Sequence, residues 1–216
     1  MKLVSVNVGI PKDVISYGRS VKTGIFKSPV GGRVKVAKLN LEGDGQADLA
    51  VHGGPNKAVY AYPSEHYGYW QQEFPGMELP WGMFGENLTL RGLLEDSAHI
   101  GDHIQIGTAK LMVTQPRLPC YKLGIRFQQD DMPERFLESR RTGFYFAVVE
   151  EGELGAGDTV DILDIEPNRI SIADILSLFY DNNPHDPGLI ERALKVEALS
   201  PSWRKQLLNK MEDSTK

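Results

Sequence analysis

Cysteine is almost absent from this 216-residue chain, which contains one, Cys120. One cysteine can form neither an internal disulfide nor a cysteine-rich zinc site. The five histidines are scattered and show no His-Glu-x-x-His spacing, so no zinc is expected. Because a lone thiol keeps its chemistry only in a reducing compartment, we expect a cytoplasmic location.

Long apolar runs and low-complexity tracts are missing too. The first nine residues lack the apolar core and cleavage site of a signal peptide, and no later stretch is apolar enough to span a bilayer. With 41% hydrophobic and 25% charged residues, the composition is that of a globular protein. No membrane partner is therefore expected.

The chain has no excess of positive charge. Its formal net charge is −5, from 24 Lys and Arg against 29 Asp and Glu. It therefore has no overall basic field for nucleic-acid phosphates, and no nucleic-acid partner is expected, although a local positive pocket remains compatible with this charge. A nucleotide phosphate loop, a dinucleotide fingerprint and the cysteines of an iron–sulfur cluster are absent as well.

Short alternating or β-branched runs fill the chain up to about residue 164, which indicates a mostly β domain. Their spacing favours a β-barrel over alternating strands and helices. The candidate strands are residues 3–8, 33–39, 58–62, 103–106, 110–114, 144–149 and 159–163. Two helical insertions are predicted, at residues 64–74 and 132–140.

After Pro167 the apolar residues follow helical spacing, which predicts three short helices. The expected architecture is α+β overall, with a β-barrel domain over residues 1–165 and a three-helix C-terminal domain over residues 166–216. Short helices are marginal alone, so these must pack on one another, on the barrel or on a second subunit. A homodimer is expected on this ground.

Basic residues surround the cysteine in the segment 115–127. Arg117, Lys122 and Arg126 place positive charge near Cys120 and should favour its thiolate, which is both a nucleophile and a soft metal ligand. The competing interpretation is a buried cysteine that only packs, because free cysteines are among the most buried residues.

Three further segments carry candidate binding residues. The Gly-rich stretch 43–60 contains His52 and Lys57, which can donate to anionic oxygens, although a tight turn with a solvated lysine explains the same residues. Asn87 can donate and accept at a heterocycle edge, and Arg141 suits a phosphate or cofactor oxygen. Asn is also common in turns, and Arg is usually a surface residue.

Six short motifs, taken together in their order and spacing, resemble the MOSC-domain family. They are Gly-Asp-Gly-Gln-Ala-Asp at 43–48, His-Gly-Gly at 52–54, Ala-Val-Tyr-Ala-Tyr-Pro at 58–63, Gly-Glu-Asn-Leu-Thr at 85–89, Gln-Pro-Arg at 115–117 and Pro-Cys at 119–120. The resemblance covers about three quarters of the chain. The remainder resembles the three-helix extension of a bacterial branch that reduces N-hydroxylated base analogues.

The resemblance implies a β-barrel-like domain that binds a molybdenum cofactor, a molybdopterin, with Cys120 as the protein ligand to the metal. It implies that Asn87, Arg117 and Lys122 line the cofactor cavity, and that His52, Lys57 and Arg141 contact the phosphate or pterin. The implied activity is the reduction of N-hydroxylated purines and related small molecules from N–OH to N–H. A separate flavin or iron–sulfur protein would supply the electrons. An alternative is a cofactor or sulfur carrier that uses a Cys120 persulfide without reductase turnover.

Overall fold

The computed structural model describes residues 1–48, 53–181 and 186–213, and its centre is an eight-stranded sheet. Buried and more exposed residues alternate in the strands His103–Ile106 and Phe144–Glu150, whereas Val59–Pro63 is buried along its whole length. The strands of this sheet are β1 (Lys2–Val8), β4 (Ser28–Val30), β7 (Val59–Pro63), β8 (Leu88–Arg91), β9 (His103–Ile106), β10 (Ala109–Pro116), β11 (Phe144–Glu150) and β13 (Val160–Asp164).

The sheet has the order β13-β9-β10-β11-β7-β8-β1-β4, with β7 and β8 parallel and the other pairs antiparallel. In the described part of the chain it does not close into a barrel, which corrects the predicted closed form. The reason lies in β1, whose second edge pairs with β4 over Val6–Val8. Near its start, one isolated bridge joins Lys2 to Thr159. No continuous ladder therefore joins β1 to β13.

Two small sheets flank the large one. One is a hairpin of β2 (Lys12–Ser16) and β3 (Arg19–Thr23). The other is a three-stranded sheet of β5 (Val34–Ala37), β6 (Asn40–Leu41) and β12 (Gly152–Leu154). The strand predicted over residues 33–39 is too long, since β5 ends at Ala37. The chain turns at Lys38 and Leu39, and β6 then pairs back onto β5.

Three short helices surround an aromatic cluster on one side of the sheet. They are α1 (His66–Glu73), α2 (Tyr121–Phe127) and α3 (Met132–Glu138). Trp70, Phe84, Phe127 and Phe136 are fully buried in this cluster. The predicted insertions correspond to α1 and α3, whereas α2 was not predicted. A 3-10 helix, Pro55–Lys57, precedes β7.

The C-terminal segment forms the three predicted helices, α4 (Ile172–Tyr180), α5 (Pro187–Lys195) and α6 (Pro201–Asp213). Asp186 caps α5, since its side chain accepts from the Gly188 and Leu189 amides. The helices bury Ile175, Ile190 and Trp203 in the same hydrophobic cluster as the sheet.

Their apolar faces therefore find a packing surface within the chain. The need for a second subunit, on which the homodimer expectation rested, is removed. The homodimer and the boundary at residue 165 stay predictions. Among the described helices, none is both long enough and apolar enough to cross a membrane.

Candidate functional site

A cleft opens where the segment that carries Cys120 meets five other parts of the chain. Its empty space, including the part open to solvent, is about 680 Å³. We call it the basic cleft because four cationic side chains line it against one carboxylate, although the whole chain carries −5. The four cations are Lys27, Lys57, Arg117 and Lys122, and the carboxylate is Asp44.

Cys120 lies at the boundary between the loop after β10 and the helix α2. It is the N-cap residue of α2, with an extended backbone (φ −128°, ψ 169°), and it is partly exposed. Pro116 ends β10 and Pro119 precedes the cysteine, so prolines limit the freedom of this short connection. The thiol lines the basic cleft, which does not fit the interpretation of a cysteine sealed among apolar side chains.

Arg117 is the most unusual group in the basic cleft. Arg117 is 5% exposed, and its Nη1 atom is buried without a hydrogen-bond partner. Its guanidinium lies 5.3 Å from the Tyr60 ring centroid and 5.0 Å from that of Phe136, so two aromatic rings fix its position. A buried cationic donor without an acceptor is a group prepared for an anionic ligand.

Lys27 and Asp44 form a buried ion pair in the wall of the basic cleft. Burial lowers the pKa of Lys27, and the charge of Asp44 opposes this shift. Asp44 also accepts from the Gly9 amide (3.0 Å) and from Asn87 Nδ2 (2.9 Å). The carboxylate thus ties together segments that are distant in sequence.

Asn87 lines the basic cleft, as expected, but its amide is already used within the protein. Its Nδ2 donates to Asp44, and its Oδ1 accepts from the Tyr60 amide at 3.1 Å. The side chain is 4% exposed. Asn87 therefore holds the wall in place, and the geometry gives no support to its expected recognition of a heterocycle edge.

Glycines allow the walls of the basic cleft to approach one another. A Cβ atom on Gly24 would lie 2.5 Å from the carbonyl oxygen of Gly45, so a side chain there would push the two segments apart. These segments carry Lys27 and Asp44, and the close approach is what lets the ion pair form.

The lysines and tyrosines that complete the lining of the basic cleft are Lys57, Lys122, Tyr60 and Tyr145. Partial burial lowers the pKa of Lys57. Burial also raises the pKa of Tyr145, while the charge of nearby Arg117 opposes that shift. Tyr60 donates its hydroxyl to the Thr142 carbonyl at 2.8 Å, and burial raises its pKa well above the usual value. Both phenols therefore keep their protons at neutral pH.

Arg141 is not among the side chains that line the basic cleft. Its guanidinium lies 4.0 Å from the Tyr69 ring centroid, and its Nη1 donates to the Ser139 carbonyl at 3.0 Å. Its expected contact with the phosphate or pterin stays a prediction without geometric support. His52 lies outside the described residues.

Among the charged and tyrosine side chains that line the basic cleft, the sequence interpretation missed four: Lys27, Asp44, Tyr60 and Tyr145. Asp44 lies in the Gly-rich stretch that was singled out, and Tyr60 lies in one of the motifs, so both had a local signal. Tyr145 ends the segment 139–145 from which only Arg141 was chosen, whereas Lys27 had no signal, because only the fold brings it to Cys120.

The basic cleft fits a ligand that combines anionic groups with a soft metal. The cations and the unpartnered Arg117 nitrogen suit phosphate or other anionic oxygens, and a thiolate at Cys120 suits a soft metal. The aromatic rings of Tyr60 and Tyr145 offer flat apolar walls beside these polar groups.

Comparisons with known proteins agree with this geometry. The model of the MOSC domain matches residues 48–161, and that of the YiiM-like, 3-alpha helix domain matches residues 170–212. The protein YflK of Bacillus subtilis (strain 168) is 40% identical over 97% of this chain and 94% of its own length. Protein YiiM of Escherichia coli (strain K12) is 33% identical over 92% of this chain and 91% of its own length.

A more distant relative is a protein of Gibberella moniliformis (strain M3125 / FGSC 7600) named Reductase. The two are 31% identical over 163 residues, which make up 74% of this chain and 29% of that larger protein. Among solved structures, YiiM from Geobacillus stearothermophilus superposes with a TM-score of 0.79 at 36% identity, covering 97% of this chain and 98% of that one. The chain therefore belongs to the MOSC-domain family, in the branch that carries a YiiM-like 3-alpha helix domain.

Proposed function

We propose that this protein binds a molybdenum cofactor in the basic cleft and reduces N-hydroxylated purines and related compounds. Membership of the MOSC family supports the cofactor, and the relative named Reductase supports the class of reaction. The observation that carries the proposal is the position of the partly exposed Cys120 thiol. It opens into a cleft lined by four cations, one of which, Arg117, has a buried nitrogen without a partner.

The cofactor would be held by Cys120 through its sulfur and by Arg117, Lys57 and Lys122 through its anionic groups. When bound, it supplies a centre that exchanges two electrons. Arg117 is fixed by its two aromatic neighbours and would orient an anionic group in the cleft. Tyr145, whose pKa is raised by burial, would present a protonated hydroxyl.

The overall reaction consumes two electrons and two protons, breaks the N–O bond, and gives an N–H group and water. A separate flavin or iron–sulfur protein is proposed as the electron donor. A cytoplasmic location belongs to the same proposal, since a reducing compartment preserves the Cys120 thiol.

The test is turnover of 6-hydroxylaminopurine, with reduced methyl viologen as donor, by protein purified from cells that make molybdenum cofactor. Cys120→Ser should lower the rate at least about a hundredfold, because the hydroxyl is a poor ligand for a soft metal. Tyr121→Ser is the matched control, since it changes the exposed neighbour at the same helix start and should keep most of the activity. Full activity in Cys120→Ser would refute the proposal.

A carrier that holds a Cys120 persulfide is the alternative, and the exposure of the thiol permits it. Mass spectrometry of the intact chain distinguishes the two functions. A persulfide on Cys120 together with no turnover of the hydroxylaminopurine would favour the carrier.

A further inference from the structure

The hairpin of β2 and β3 presents large apolar side chains to solvent. Ile15 is 75% exposed and Tyr17 is 82% exposed. Isolated exposed apolar residues need no explanation, but a group of them beside a functional cleft marks a contact surface. The exposed side chains of the hairpin therefore indicate a contact surface for another molecule.

The hairpin is continuous with the rim of the basic cleft. Thr23, at the end of β3, lines that cleft. At the hairpin base, the Phe26 ring is contacted by Lys12 Nζ at 4.4 Å and by the Arg126 guanidinium at 4.9 Å. At its tip, the Tyr17 hydroxyl donates to the Asp130 carboxylate, just beyond α2. The hairpin thus lies beside the C-terminal end of α2, the helix that begins next to Cys120.

Two exposed apolar residues lie near Cys120 in sequence, on the segment whose helix α2 reaches the hairpin base through Arg126. Leu118 is 39% exposed and lines the basic cleft, and Tyr121 is 62% exposed at the first position of α2. We call residues 12–23, together with Leu118 and Tyr121, the hairpin face.

The hairpin face lies in a positive region of an acidic protein. Lys12, Arg19 and Lys22 against Asp13 give the hairpin a net charge of +2. The four cations and one carboxylate of the basic cleft add +3. Arg126 and Asp130 beside them cancel. The hairpin and the basic cleft together carry +5 in a chain of net charge −5, so the remaining residues carry −10 in sum.

We propose that the hairpin face is the docking surface for the electron-donor protein, and that this donor presents an acidic surface around its flavin or iron–sulfur group. The inference rests on the proposed function, which requires a donor. An acidic partner is steered toward the positive side of this chain and repelled from the rest. Per turnover, the donor loses two electrons, two protons come from solvent, and the N–O bond gives N–H and water.

The mixed apolar and basic character of the surface also suits such a partner. Encounters between electron-transfer proteins bury little area and must separate quickly. Exposed apolar side chains on the same hairpin as Lys12, Arg19 and Lys22 provide short-lived contact with fast, salt-sensitive association. The position beside Cys120 brings the donor close to the centre that it must reduce.

The test compares two donors for turnover of 6-hydroxylaminopurine by the holoprotein. One donor is a reduced flavodoxin with Asp and Glu around its flavin, and the other is reduced methyl viologen. Arg19→Glu/Lys22→Glu and Ile15→Glu should each lower kcat/KM for flavodoxin about tenfold or more. Neither should change the viologen rate, because none of these residues lines the basic cleft. The flavodoxin rate of the wild type should fall steeply with added salt.

Matched controls lie elsewhere on the chain. Arg192→Glu/Lys195→Glu reverses two exposed charges on α5, and Ile165→Glu changes a side chain that is 62% exposed. Both should behave as the wild type with either donor. Hairpin variants that accept electrons from flavodoxin at the wild-type rate would overturn the inference. So would a wild type that viologen drives but flavodoxin does not. A wild type that viologen cannot drive would instead contradict the proposed function, and with it the need for a donor.

Discussion

At the scale of single residues, Arg117 distinguishes a binding site from an ordinary protein surface. A buried donor without an acceptor costs about 1–3 kcal/mol, and more when it is charged. Here the unpartnered nitrogen belongs to a residue that lines the basic cleft beside the thiol. The protein without ligand therefore carries a cost that a bound anion would remove.

This cost predicts opposite effects on stability and on binding when Arg117 is changed to Met. The cofactor-free variant should be as stable as the wild type or more stable, by up to about 2 kcal/mol, because the buried charge is gone. The same variant should retain much less cofactor. Urea unfolding of the cofactor-free protein and metal analysis of protein from cofactor-competent cells measure the two effects.

Arg135→Met is the control, since Arg135 also stacks on an aromatic ring, that of Phe74, but is partly exposed and pairs with Glu73. It should leave the cofactor content unchanged. A marked loss of stability in cofactor-free Arg117→Met would show that the guanidinium serves the fold and not a ligand.

The residues around the thiol show how far sequence reasoning reaches at this scale. Arg117 and Lys122 are close to Cys120 in the chain, so local charge was enough to identify them, and the structure places both in the cleft. Asn87 was found by its motif, but its hydrogen bonds serve the protein wall. Lys27 lies far from Cys120 in sequence and reaches the cleft only because two glycine-containing segments touch.

At the scale of elements, strands with regular alternation were predictable and polar or interrupted ones were not. The strand β9 was predicted with its observed bounds, and β11 within one residue. The hairpin of β2 and β3 was missed because most of its residues are exposed and its apolar pattern is weak. The helix α2 was missed because two prolines and a cysteine indicated a loop, and the loop in fact ends at Cys120.

The helix α4 connects the C-terminal helices to the sheet through its first turn. The Ile172 amide donates to the Ala98 carbonyl and the Ala173 amide to the Glu95 carbonyl, at 2.9 and 2.8 Å. Ser171 and Asp174 form a capping box, in which each side chain accepts from the other's amide. The cap therefore stabilises the helix α4 and also the attachment of its first turn to the segment that contains Glu95 and Ala98.

Removing this cap gives the prediction at the element scale. Ser171→Ala should lower the free energy of unfolding by about 1 kcal/mol, because the Asp174 amide loses its partner. The midpoint of urea unfolding measures the change, with Ser20→Ala as the control, since Ser20 is exposed on the hairpin. Equal midpoints for Ser171→Ala and wild type would show that the cap contributes nothing to stability.

At the scale of the whole molecule, the spacing of apolar residues predicted the class of architecture but was wrong about its closure. The mostly β body and the three terminal helices are observed, whereas the closed barrel is not, because β1 divides its second edge between β4 and the residue before β13. The net charge likewise described the chain as a whole but not the charge of its cleft. A chain of net charge −5 holds a cleft lined by four cations, and only the fold could show that separation.

The most direct test of the central claim is the molybdenum content per chain in wild type and Cys120→Ser purified side by side from cells that make the cofactor. The wild type should retain molybdenum, and the variant should carry at least about tenfold less, because the sulfur is the proposed protein ligand to the metal. Equal molybdenum in the two proteins, or none in the wild type, would contradict the account.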